Sequence, residues 1–156
     1  MPKVELQRTF NVPLDKALEY FGNHELYNSA HARSDTTCTI VGRRDNEVLV
    51  EVKQAIGAQT MNFTTKTVYR LPQSIETETL SGMAKGSRQK VTFESVPEGT
   101  KVTYVTDFKM QLGGMAGKAL GLVSGKMMKK MTRETMEEAA EVDRKCLEGD
   151  QSPAPQ

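Results

Sequence analysis

Tryptophan is absent from this 156-residue chain, aromatic residues make up 6% of it, and cysteine occurs only twice. Cys38 and Cys146 lie far apart and form no CxxC or other metal-ligand spacing, so they read as free thiols in a reducing compartment. A surplus of charge is also lacking. Lys and Arg number 21 against 20 Asp and Glu, a net charge of +1 that argues against a general nucleic-acid binder. No apolar run approaches the roughly 18–20 residues of a transmembrane helix, and the opening MPKVELQRTF has no apolar signal-peptide core. The cytoplasm is therefore the expected compartment, and the sequon Asn62-Phe63-Thr64 carries no weight without secretion. The hydrophobic fraction of 37% is low, so apolar residues must be concentrated on a few faces. A chain of this size buries enough surface to fold as one domain without a disulfide or metal staple.

The pattern that is present begins at Val4 to Phe10, a strand in which Val4, Leu6 and Phe10 alternate and Arg8 interrupts the apolar row. Leu14, Ala17, Leu18 and Phe21 recur at helical spacing between Pro13, suited to a first turn, and Gly22, suited to a stop. A second short helix is expected from about His24 to Ala30. From about Asp35 to Met110 the period changes to two. Val48, Val50 and Val52 share one face; Met61, Phe63, Thr65, Thr67, Tyr69 and Leu71 share the next. Val91 and Phe93 follow, then Val102, Tyr104, Thr106, Phe108 and Met110. Turn residues fall at Arg44-Asp45-Asn46, Leu71-Pro72-Gln73-Ser74, Lys85-Gly86 and Pro97-Glu98-Gly99. Six strands in series, each with one apolar face, predict an antiparallel meander with one face covered.

The cover is the proline-free stretch from Met115 to Glu148. Ala116, Leu120, Val123, Met127, Met131, Thr135, Ala139, Val142 and Cys146 trace one stripe of a helix there. Such a helix would reach roughly 50 Å, enough to cross the sheet. Residues 1–148 thus read as one α+β domain and 149–156 as a flexible tail.

Strand, two short helices, six antiparallel strands and a long C-terminal helix is an order that resembles the START-like (SRPBCC) helix-grip superfamily. The opening Val4 to Gly22, a strand running through Asn11-Val12-Pro13 into a helix ending in Tyr20-Phe21, looks like the start of that fold. The resemblance spans about residues 3–148 and is nearest to the polyketide cyclase/dehydrase-type and carbon-monoxide dehydrogenase G-like branches. Leu80 to Ser87 and the Gly-rich stretch from Leu112 to Gly125 are similar to the second branch, whereas Asn28-Ser29-Ala30-His31 lacks its Pro-Gly step. The resemblance implies a curved antiparallel sheet of about seven strands wrapped around the last helix, with a cavity between them. It also implies a hydrophobic ligand, because members bind lipids, sterols, quinones, polyketides or hormones, and a minority are enzymes.

On that reading Leu120, Val123, Met127 and Met131 would line the cavity from the helix, and Phe63, Tyr69, Phe93, Tyr104 and Phe108 from the sheet. Its polar groups would be Thr65, Thr67, Tyr69, Thr77, Thr79, Tyr104 and Thr106. Gly113, Gly117, Gly121 and Gly125 recur every four residues along the helix, each costing about 0.5–1 kcal/mol relative to Ala. They either leave room for a ligand and let the helix bend as a gate, or permit close packing on the sheet. Lys118, Lys126, Lys129, Lys130 and Arg133 crowd the first half of the helix, and Glu134, Glu137, Glu138, Glu141, Asp143 and Glu148 the second, against the helix dipole. One reading is a solvated face tied by Lys130–Glu134, Arg133–Glu137 and Glu141–Lys145 pairs. The other is docking of the basic, Met-rich half on an anionic membrane or an acidic protein partner.

Signals of chemistry are sparse. Gly121 to Met127 superficially resembles a phosphate loop, but only three residues separate its glycines and Met127 replaces the required Ser or Thr. His24 and His31 would stand about 10 Å apart on one helix, too far for a shared metal ion, and read as surface or loop-packing residues. No Ser or Cys occupies a nucleophile elbow, Cys38 lies on a strand of mixed polarity, and Glu76 and Glu78 share a solvated strand face. The inward-facing list holds no acid, base or Arg, which favours binding over catalysis. The expectation is therefore binding or carriage of a hydrophobic small molecule, with no cofactor, metal or nucleic acid. The alternatives are a polyketide cyclase/dehydratase-type enzyme and an accessory or chaperone-type interaction protein, the last favoured by a small, closed cavity.

Overall fold

The computed structural model describes residues 3–56, 58–109 and 125–149. The chain runs through β1 (Lys3–Phe10), α1 (Leu14–Phe21) and α2 (His24–Ala30) into β2 (Thr36–Arg44), β3 (Glu47–Ile56) and β4 (Gln59–Arg70). It continues through β5 (Ser74–Thr79), β6 (Arg88–Val96) and β7 (Gly99–Asp107) to α3 (Gly125–Leu147). The strands form one antiparallel sheet in the order β1-β7-β6-β5-β4-β3-β2. This is the expected meander, with β1 joined beyond β7 so that Lys3 faces Asp107 and Phe10 faces Thr100.

Local chemistry explains the joints. Pro13 opens α1 with its carbonyl accepting from the Lys16 and Ala17 amides, and Asn23 caps α2 by accepting the Leu26 amide at 3.0 Å. A register shift between Ile40 and Gly42 leaves Val41 bulged, which bends β2 and curves that end of the sheet. Gly99 has φ +143°, and a Cβ there would stand 2.1 Å from the Phe10 carbonyl oxygen. Only glycine lets the β6–β7 turn pass the end of β1 so closely.

The larger core joins Val4, Leu6 and Phe10 of β1 to Val102 and Tyr104 of β7, Tyr20 and Phe21 of α1, and Met136, Ala140 and Leu147 of α3. A smaller cluster, Val48, Val50 and Val52 of β3, gathers Ile40, Phe63 and Tyr69 at the other end of the sheet.

The inward face of α3 corrects the expected stripe by one residue. Met136, Ala140, Asp143 and Leu147 are buried, whereas Met127 and Met131 are 53% and 55% exposed and Thr135 is exposed as well. The physical reason is Asp143. It reads in sequence as one of several solvated acids, yet it lies at the centre of the buried face, and the 136–140–143–147 spacing follows it. The charged pairs differ too: Glu141 meets Arg144 at 3.3 Å, and Glu137 meets Arg8 of β1 at 3.8 Å. Lys126, Lys129, Lys130 and Arg133 are exposed along the first half of α3, which begins at Gly125. Gly113, Gly117, Lys118, Leu120, Gly121 and Val123 lie outside the described residues, as does the tail from 150 onward. Among the described residues, no helix is long and apolar enough to cross a membrane.

Candidate functional site

A cavity of about 200 Å³ lies between α2 and the middle of the sheet. The period of two delivers its floor: Val50 and Val52 from β3, Thr65, Thr67 and Tyr69 from β4, Ile75 and Thr77 from β5, and Gln89 and Val91 from β6. Cross-strand register aligns these into rows, with Val50 opposite Thr65, Thr67 opposite Thr77, and Ile75 opposite Val91. Phe21 of α1 and His24, Tyr27 and Asn28 of α2 form the roof, and Cys38 of β2, an exposed free thiol, marks the rim. Among the described residues, no Asp, Glu, Lys or Arg contributes to the lining.

Two hydrogen bonds join polar side chains of the cavity lining. Thr67 Oγ1 and Thr77 Oγ1 stand 3.1 Å apart, and His24 Nδ1 meets Tyr69 Oη at 3.1 Å. His24 Nε2 is buried and meets no hydrogen-bond partner among the described residues. Burial holds the imidazole below the ordinary histidine pKa, and the nearby Arg43 guanidinium pushes in the same direction. Burial raises the Tyr69 hydroxyl, partly offset by Arg43, and raises the Cys38 thiol. Arg43 itself is engaged by Glu25 of α2 on the outer side. At neutral pH His24, Tyr69 and Cys38 are therefore all uncharged.

Beyond Tyr27 lies a second cluster, built on the fully buried Asp143. Tyr20 of α1 donates to its Oδ1 at 2.7 Å, Tyr104 of β7 donates to Oδ2 at 2.7 Å, and His31 Nε2, just after α2, stands 2.8 Å from Oδ1. The ring of Tyr27 stacks on His31 with centroids 4.3 Å apart. Burial and the Asp143 charge both push the Tyr20 and Tyr104 hydroxyls well above their ordinary pKa, so they remain donors. One carboxylate thus ties α3 to α1, α2 and the sheet. Among the described residues no group of three or more His, Cys, Asp or Glu is placed to hold a metal ion.

A family model described as polyketide cyclase / dehydrase and lipid transport matches residues 1–142. The chain belongs to that family. The expected nearness to carbon-monoxide dehydrogenase G-like proteins is not confirmed. No curated protein matches the chain. Among solved structures, a START superfamily protein from Mycobacterium smegmatis is similar at 18% identity and TM-score 0.70, over 94% of this chain and 97% of that one. The ZhuI aromatase/cyclase from Streptomyces sp. R1128 is similar at 15% identity and TM-score 0.69, over 95% of this chain and 92% of that one. The di-domain aromatase/cyclase StfQ of the steffimycin pathway gives 11% and 0.70, over 96% of this chain and 51% of that one. At these identities the likeness shows the fold, which is the START-like helix grip. Membership of the polyketide cyclase/dehydrase family supports a hydrophobic-ligand or cyclase role for the chain.

Within this polyketide cyclase/dehydrase-family fold, the expected site residues separate. Tyr69 lines the cavity, and so do Thr65, Thr67 and Thr77 from the expected polar set. Phe63 packs on the β3 valines, Phe93 packs against Phe21 with ring centroids 5.2 Å apart, and Tyr104 is committed to Asp143. Phe108 is half-buried just past β7, and Met127 and Met131 stand on the exposed face of α3. His24 and Asp143 are what sequence reasoning missed. The cavity lining therefore does contain a base, His24, contrary to expectation, whereas Asp143 is buried outside it. A signal for Asp143 was available: Tyr20 and Tyr104 both fall on inward faces, and each brings a hydroxyl that needs a buried partner.

Proposed function

We propose that the cavity beneath α2 receives the hydrophobic end of a small molecule, which the chain binds or carries without converting it. The observation that carries this reading is the lining: valine, isoleucine and aromatic walls, a few hydroxyls and, among the described residues, no ionised side chain. Such a surface takes up apolar matter and orients it through a small number of polar contacts. The volume of about 200 Å³ is below the roughly 300–1,000 Å³ of sites that enclose a whole drug-sized ligand. It exceeds the roughly 150 Å³ that suffices for benzene, so it fits one ring or a short branched chain. The rest of a larger ligand would leave past the rim at Cys38.

The test is native mass spectrometry of the protein purified from its own host, followed by organic extraction. One equivalent of a lipophilic compound is expected with the wild type and none with Val50→Trp, whose indole fills the cavity. A clean mass together with no thermal shift across a panel of lipids, quinones and aromatic ketones would remove the carrier reading. A second reading, cyclisation or dehydration of a polyketide-like substrate, is favoured by one feature. The neutral His24 imidazole, held by Tyr69, has a suitable form for accepting a proton from a carbon next to a carbonyl.

A further inference from the structure

We infer that the first turns of α3 dock on an anionic lipid bilayer, with Lys126, Lys129, Lys130 and Arg133 at the headgroups and Met127 and Met131 entering the boundary of the acyl chains. The inference goes beyond the cavity reading and does not depend on what the cavity binds.

Charge carries the first part of the argument. From Phe108 to Arg133 the sequence holds Lys109, Lys118, Lys126, Lys129, Lys130 and Arg133 and no Asp or Glu. The four of these on the described part of α3 are all exposed. Sequence spacing offers Lys130 a partner in Glu134 and Arg133 one in Glu137, and those pairs would make this an ordinary solvated face. The structure forms neither. Glu137 turns to Arg8 of β1 at 3.8 Å, and among the described residues none of the four cations makes an ion pair. Like charges crowded in this way repel one another, and a surface of negative potential relieves that repulsion; each cation brought to it favours the bound state about fivefold.

The methionines favour a bilayer over an acidic protein. Met127 and Met131 lie one helical turn apart, share a face, and are 53% and 55% exposed. Among the described residues the other exposed large hydrophobics, Leu26, Val41, Leu71 and Met83, fall on four different segments. Flexible thioether side chains suit a disordered acyl phase. Lys126 and Lys130 each precede a methionine by one position, so their stems can lie along the same apolar boundary while the ammonium groups stay in water. Glu134 and Glu138, exposed and three and seven positions beyond Met131, continue the methionine face with the opposite charge. The same surface repels them, which confines the contact to the first half of the helix.

Co-sedimentation of the full chain with vesicles tests this, using phosphatidylcholine alone and phosphatidylcholine with about one-third phosphatidylglycerol. Binding is expected only to the mixed vesicles and should weaken as salt is raised. The double change Lys129→Gln with Lys130→Gln should weaken it roughly 25-fold. Met127→Ser with Met131→Ser should weaken it at least about fivefold, and Glu134→Gln with Glu138→Gln should tighten it by a similar factor. Arg144→Gln, in the second half of α3 where Arg144 meets Glu141, should change it by less than about twofold. In Met131→Trp the indole would be the only one in the chain, and its emission should shift to the blue on the mixed vesicles alone. No binding to the mixed vesicles, or equal binding to both kinds, would overturn the inference. Binding to polyglutamate as tight as to mixed vesicles, with both the methionine changes and the indole emission without effect, would assign the surface to an acidic protein and overturn it as well. A vesicle result of either sign leaves the mass-spectrometric test of the cavity untouched.

Discussion

The two ends of the sheet are built from the same kind of strand but are finished differently. At the β1–β7–β6 end, α1 and α3 cover the inner face; Val102 and Tyr104 are sealed, and Asp143 receives three polar partners. At the β3–β4 end the described cover is α2, seven residues long with none fully buried, and one buried nitrogen of its His24 has no hydrogen-bond partner among the described residues. The difference teaches how the covering helix sets what the interior holds. Where the covering helix is long, polar atoms are saturated and the interior is filled. Where it is short, space and an unmet hydrogen bond remain together.

Mutations can break this contrast or sharpen it. The largest effect is expected for Asp143→Ala, which strands two tyrosine hydroxyls and His31 at the sealed end; urea denaturation should show a loss of about 3–5 kcal/mol. A loss below about 1 kcal/mol would mean that the carboxylate is not the fastening its geometry indicates. Next comes a matched truncation at the two ends. Val102→Ala, at a fully buried site, should cost about 2 kcal/mol, and Val52→Ala, beside existing space, less than about 1 kcal/mol. Equal losses would erase the distinction between the two ends. The smallest effect is a pH dependence. His24 has its native pKa below the ordinary value, so at acid pH the unfolded chain binds this proton more readily than the folded one. Stability should therefore fall as pH drops below about 6.5 towards the native value, and His24→Leu should flatten that part of the melting-temperature profile.

Much of the frame was legible because period two and turn residues are local signals. Val48–Val50–Val52 and Thr65–Thr67–Tyr69 reach the inner face as their alternation requires. The α3 stripe was displaced because an aspartate among glutamates looks solvated until Tyr20 and Tyr104, 123 and 39 residues away, are brought against it. His24 was illegible for a related reason. Its neighbours in sequence are polar, and its burial follows from α2 settling over Tyr69, 45 residues onward. Long-range docking, rather than weak local propensity, hid both residues.

The pairing of β1 with β7 carries a consequence for biosynthesis. On a ribosome β1 emerges before every other described strand, yet its neighbour in the sheet, β7, is made about a hundred residues later. The Asn11 amide, just past β1, waits longer still for its acceptor, Glu148 Oε2 at 2.6 Å. The meander from β2 to β7 can assemble progressively by adjacent hairpins, but the sealed end is completed only when the last helix arrives. Through most of translation the nascent chain therefore exposes the apolar edge of Val4, Leu6 and Phe10, and the final turns of α3 release it from that exposure.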